Sequence, residues 1–185
     1  MTDNVGIQSV YSVGYPMVST LSSAPLDASV AAFISGQQSI HVAAVTEQSR
    51  PTLTRGLACS VNEERTRVRI LLSASRSQQL LRALACNPRI AAVFSNPEDN
   101  KTLQLKGVDA EIAEATEEDR ALLTPYIQTF AAKVQRFNVQ EIFVRTLFSC
   151  EPDDLLTVSF TPITAFKQTP GNNAGDPIPL GVELS

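Results

Sequence analysis

The groups best able to do chemistry in this 185-residue chain are arginines and hydroxyls, because the usual nucleophiles and metal ligands are scarce. His41 is the single histidine, and the three cysteines, Cys59, Cys86 and Cys150, are widely spaced with no Cys-x-x-Cys pair. No His/His metal pair exists, a zinc site or disulfide framework is not expected, and a Cys–His couple would have His41 as its only base. The cysteines read as buried thiols that behave as small hydrophobes. His41, between Ile40 and Val42 in a strand-like run, reads as a sheet-face histidine without a catalytic role. Two cationic positions stand out. Arg55 alternates with Leu53, Leu57 and Cys59, so it is an inward-pointing charge that needs an acidic partner or a bound anion. Ser75-Arg76-Ser77 forms a polar turn just ahead of a helix, whose free backbone N–H groups suit an anion.

These positions depend on the elements that carry them. Thr66, Val68, Ile70 and Leu72 alternate, predicting a strand over 66–72. After the serine-rich turn, Leu80, Leu81 and Leu84 predict a helix over 78–86, which Asn87-Pro88 stops. Strands over 89–95 and 101–107 follow, joined by the turn 96–100. Upstream, residues 1–23 read as an irregular arm or loose hairpin. Pro25 sits in the first turn of a helix ending at Gly36, lined by Leu26, Val30, Phe33 and Ile34. Strands over 39–46 and 52–61 come next. Downstream, the strand continues past a bend at Gly107 to residue 113. Thr116 with Asp119 forms a capping sequence for a helix in which Pro125 predicts a kink or a fresh start capped by Thr124. Its stripe of Leu123, Ile127, Phe130, Val134 and Phe137 suits core or dimer packing. Asn138 with Glu141 caps a further helix, ended by Glu151-Pro152-Asp153-Asp154. A last strand over 155–166 is interrupted by Pro162. Arg65, Arg67 and Arg69 share the face opposite Val68 and Ile70, read as a solvent-facing side or, alternatively, a border with a second subunit.

Hydrophobic content of 43% and charged content of 18% fit one globular domain. The expected division is an irregular arm over 1–24, a β-rich domain over 25–168 and a Gly/Pro-rich tail over 169–185. A net charge of −4 argues against nucleic-acid binding. The acidic, base-free start is not a secretory signal, and no apolar run approaches the ~20 residues that cross a bilayer, so the cytoplasm is the expected location. About six short antiparallel strands with flanking helices predict an α+β fold built on a closed or nearly closed barrel.

Several motifs resemble one family in order and spacing. They are Ser75-Arg76-Ser77 leading to Asn87-Pro88-Arg89-Ile90-Ala91-Ala92-Val93, then Lys101-Thr102-Leu103-Gln104-Leu105-Lys106-Gly107. The third is Leu155-Leu156-Thr157-Val158-Ser159-Phe160-Thr161-Pro162, followed by Gln168-Thr169-Pro170-Gly171. Over roughly residues 26–171 the chain resembles the pyridoxamine 5′-phosphate oxidase-like, FMN-binding split β-barrels. The resemblance implies a six-stranded antiparallel Greek-key split barrel with flanking helices, a homodimer, and FMN at the subunit interface. Carried over by position, it implies Arg55, Ser73, Ser75 and Arg76 around the cofactor phosphate and Lys101 and Thr102 near the ring. Ser60 and Ser77 stand where the family has lysines, and Leu71-Leu72-Ser73 replaces its aromatic-Thr-Asn. Oxidation of pyridoxamine phosphate itself is therefore not expected. The implied function is an FMN-dependent oxidoreductase acting on a small molecule. The alternatives are a non-catalytic module holding haem (with His41 as the only possible imidazole ligand), a deazaflavin or a tetrapyrrole, or a barrel kept for partner contacts.

Overall fold

The computed structural model describes residues 24–180, so residues 1–23 of the expected arm lie outside the described residues. Helix α1 (Ala28–Ile34) starts where Asp27 Oδ1 accepts the Ser29 N–H at 2.7 Å, and it buries Val30, Ala31 and Ile34. Pro25 therefore precedes the cap rather than occupying the first turn. Strands β1 (Ser39–Val45), β2 (Pro51–Gly56), β3 (Ala58–Val61) and β4 (Val68–Ser73) follow, then a 3₁₀ turn (Ser75–Ser77) and helix α2 (Gln78–Cys86). Next come β5 (Ile90–Ser95), β6 (Thr102–Gly107), β7 (Glu111–Glu114) and helices α3 (Glu117–Gln135) and α4 (Glu141–Phe148). A second 3₁₀ turn (Pro152–Asp154) leads to β8 (Leu155–Phe160), β9 (Thr164–Lys167) and β10 (Pro177–Ile178).

The described strands form two antiparallel sheets, β10-β9-β6-β5-β1-β2 and β3-β4-β8-β7. The fold is α+β and antiparallel as expected, but neither sheet closes on itself. The strand number differs because three expected strands each break where the chain crosses from one sheet to the other. The run 52–61 breaks at Leu57, 101–113 breaks after Gly107, and 155–166 breaks around Pro162. At two of these crossings the neighbouring atoms leave no room for a side chain. A Cβ on Gly56 would lie 2.6 Å from Ile40 Cγ2, and one on Gly107 would lie 2.6 Å from Phe160 Cδ2 and 2.8 Å from the Thr161 carbonyl oxygen. The chain beyond Lys167 is more regular than a tail: Lys167 N–H donates to the Asp176 carbonyl, and β10 extends the larger sheet.

Alternation sends Ile40, Val42 and Ala44, then Ile90, Ala92 and Phe94, then Leu103 and Leu105 into the core between the sheets. Every residue of β8 is buried. Helix α3 opens with the expected capping box between Thr116 and Asp119. It runs on through Pro125 without a restart at Thr124. The anchored first turn and the buried Tyr126, Phe130, Ala131 and Val134 outweigh a proline cost of about 3 kcal/mol. The expected stripe is partly core: Phe130 and Val134 are buried, whereas Phe137 is exposed. Asn138 does not cap α4. It takes a left-handed conformation (φ 60°), which asparagine tolerates, and α4 starts two residues later behind Gln140 with no side-chain cap.

Two arginines of the face expected to be solvated or to border a subunit are paired with carboxylates of their own chain and only about 30% exposed. Arg67 is paired with Asp109 (3.0 Å) and Glu111 (2.6 Å), and Arg69 grips Asp119 with two bonds of 2.8 and 2.7 Å. Arg65 sits in the preceding turn at φ 57°. Of the three cysteines only Cys59 is buried; Cys86 is exposed and Cys150 intermediate. Among the described residues no helix is long and apolar enough to cross a membrane, and no cluster of His, Cys, Asp and Glu could hold a metal ion.

Candidate functional site

The larger sheet turns one face to the core and leaves the other half-exposed. Strand register aligns Arg55, His41, Val93, Gln104 and Phe166 in one row across β2, β1, β5, β6 and β9. A parallel row holds Leu53, Ala43, Ala91, Lys106 and Thr164. Ala43, Ala91 and Val93 keep the middle of these rows low, and the second row borders an apolar groove of about 400 Å³ that includes Val45, Ile90 and Ile163. Leu53 was expected beside Arg55 on an inward face. It is 66% exposed, because Thr52, Thr54 and Gly56 are the core-facing positions of β2.

Arg55 stands at the end of this open face nearest the helices. Its Nη1 donates to Ser39 Oγ at 3.2 Å, and its guanidinium lies 5.9 Å from the Phe148 ring centre. Among the described residues no carboxylate pairs with it. Burial lowers its pKa and nearby Tyr126 opposes that shift, yet a guanidinium stays charged at any ordinary pH. Of the two expected partners, an acid or a bound anion, no acid is present among the described residues, where the charge meets a hydroxyl and an aromatic face. Ser39 pairs in register with Ser95, whose hydroxyl accepts from Thr102 Oγ1 at 3.0 Å. Arg55, Ser39, Ser95 and Thr102 thus form a polar line across four strands. Lys101 leaves that line: its Nζ lies 4.8 Å from the Phe33 ring centre. His41, beside Arg55, has its pKa lowered by burial first and by the Arg55 charge second, so it is neutral near pH 7.

The other expected residues gather elsewhere, around Asp154. Its Oδ2 accepts from Ser73 Oγ at 2.5 Å and Ser75 Oγ at 2.8 Å, and its Oδ1 accepts the Ser75 N–H at 2.8 Å. The Cys150 Sγ lies 3.5 Å from Oδ2, and Ala74 N–H donates to the Asp154 carbonyl. Burial pushes the Asp154 pKa up, but the hydroxyl and amide donors outweigh it and hold the carboxyl below its ordinary value. Arg76 turns away to the end of α4, donating to the carbonyls of Leu147 (3.1 Å) and Ser149. Arg55 and Arg76 therefore meet around Phe148 from different sides, one over its ring and one on the flanking carbonyls. For a cofactor phosphate the fit is split. Arg55 has charge to offer, whereas the donors of Ser73, Ser75 and Arg76 are already engaged within the chain.

Sequence reasoning missed Asp154, which looked like a helix terminator. It lies 81 positions from Ser73, and nothing local couples the two. Ser39 and Ser95 were legible in principle, since alternation along their strands places them on the Arg55 side.

No protein-family model matches the chain, and no curated protein matches it either. Solved structures do. The chain is similar to an F420 reductase at 14% identity, covering 72% of this chain and 93% of that one, with a TM-score of 0.45. It is also similar to a pyridoxamine 5′-phosphate oxidase-related, FMN-binding protein from Nostoc punctiforme (12% identity, 78% and 83% covered, TM-score 0.44). HupZ from Group A Streptococcus gives 14% identity, 80% and 98% covered, and a TM-score of 0.48.

Proposed function

We propose that this chain binds a flavin-type ring, an FMN-like flavin or a deazaflavin, on the open face of the larger sheet and acts as a flavin-dependent oxidoreductase on a small molecule. The observation that carries the reading is Arg55, a half-buried cation with no carboxylate partner among the described residues, at the edge of a face whose middle holds Ala43, Ala91 and Val93. When bound, the ring supplies the electron chemistry, which suits a chain with one histidine and no metal cluster among the described residues. The protein's part is to seat the ring against Ala43, Ala91 and Val93 and to aim Arg55 and the Ser39–Ser95–Thr102 hydroxyls at its polar edge. A second copy of the chain covers the exposed Leu53, Val45 and Ile163 and makes the other wall.

The test is an absorption and fluorescence titration with FMN, riboflavin and a deazaflavin, alongside sizing of the protein. Saturable binding by a dimer, weakened about tenfold or more in Arg55→Gln, is the expected result. A monomer that ignores all three ligands refutes the reading. A second reading, a non-catalytic haem module, is favoured by His41, which is half-exposed on the same face and neutral. In that case haem gives a ligated spectrum that His41→Ala abolishes.

A further inference from the structure

We propose that Asp154 is a built-in occupant of the Ser73–Ser75 anion seat, so that this protein takes its ring ligand without reading a 5′-phosphate at that turn. The inference rests on the flavin reading for its ligand, but its central observation is independent of it. A phosphate in this seat would need the Ser75 N–H and the hydroxyls of Ser73 and Ser75. All three already donate to one carboxylate, and Ser73 is 2% exposed, so a second acceptor reaches the set only from the exposed Ser75 side and only by displacing Asp154. A dianionic phosphate arriving beside Asp154 would also meet a charge of its own sign, held ionised by those donors. Arg76 offers no relief, because its guanidinium closes the C-terminal carbonyls of α4. Asp154 is thus a specificity-determining residue. It keeps the turn folded in place of a ligand group, so a phosphate on the ligand gains nothing there.

Two measurements on the whole chain test this. In the first, inorganic phosphate is titrated into the wild type, Asp154→Ala and Asp154→Asn while the Ser75 amide resonance is followed, with chloride of equal ionic strength as control. The wild-type signal stays still, Asp154→Asn keeps the seat filled and changes little, and Asp154→Ala shows saturable binding at least about tenfold tighter. A wild-type Ser75 amide that titrates with phosphate, or a folded Asp154→Ala that gains nothing over Asp154→Asn, overturns the proposal. In the second, the wild type binds FMN and riboflavin within about twofold of each other, whereas a preference for FMN of about tenfold or more overturns it. If no flavin binds, the proposed function fails, and the phosphate titration still decides this inference. If Asp154→Ala does not fold, the wild-type Ser75 response decides it.

Discussion

Replacing Asp119 by alanine removes one carboxylate that holds two unrelated parts of the structure. Its Oδ1 and Oδ2 take the Arg69 guanidinium at 2.8 and 2.7 Å, tying α3 to β4, and Oδ2 also accepts the Thr116 N–H and hydroxyl at 2.8 Å each. The Asp119 side chain is 6% exposed and Arg69 is 31% exposed, so the abandoned guanidinium recovers only part of its hydration. A charge-assisted bond at such a site is worth about 1.5–3 kcal/mol and a capping interaction about 1 kcal/mol. Allowing for their overlap on one carboxylate, Asp119→Ala should cost about 3 kcal/mol, which for a chain of this size lowers Tm by about 10 °C. Burial pushes the Asp119 pKa up, but Arg69 and Thr116 outweigh it and hold the carboxyl below its ordinary 3.8. With a depressed folded-state value, its contribution is fully present above about pH 4 and is lost as pH falls through the folded pKa. The gap between wild type and variant should therefore narrow in acid. Urea unfolding at pH 7 and at pH 3, with a double-mutant cycle against Arg69→Met, measures both effects. A loss under about 0.5 kcal/mol at pH 7, or no coupling to Arg69, would refute the reasoning.

Two further outcomes are expected. Gly107→Ala should destabilise by about 1–3 kcal/mol in urea, because its Cβ meets Phe160 and a backbone oxygen at a crossing where neither can retreat; a neutral variant would mean the crossing is looser than described. In the native protein a thiol reagent should modify Cys86 fastest, Cys150 more slowly and Cys59 only on unfolding, since Cys59 is buried and its thiol pKa is pushed far up by burial; mass spectrometry of partly labelled protein gives the order.

Local pattern revealed much of the fold. Alternation placed the core faces of β1 and β4, and the Thr116 capping box was readable because its partners are three residues apart. What pattern could not show was where a continuous apolar run changes sheets. Residues 52–61 look like one strand, and only the close approach at Gly56 reveals the break. The site divided along the same line. Arg55 stood out as a cation among apolar neighbours, although its face was misassigned because the phase of the alternation shifts at Leu57. The Ser73–Ser75–Arg76 turn was recognised as an anion seat, but its occupant comes from the far end of the domain. The arginines of β4 looked solvated because Asp109, Glu111 and Asp119 lie 42 to 50 positions away.

The row from Arg55 to Phe166 draws on five strands, in which β1–β2 and β5–β6 are hairpins while β1–β5 and β6–β9 pair across long stretches of chain. Such non-local pairing is slow to assemble, because each loop must be closed before its contacts repay the lost chain entropy. The row is therefore completed late, only once β9 has docked on β6.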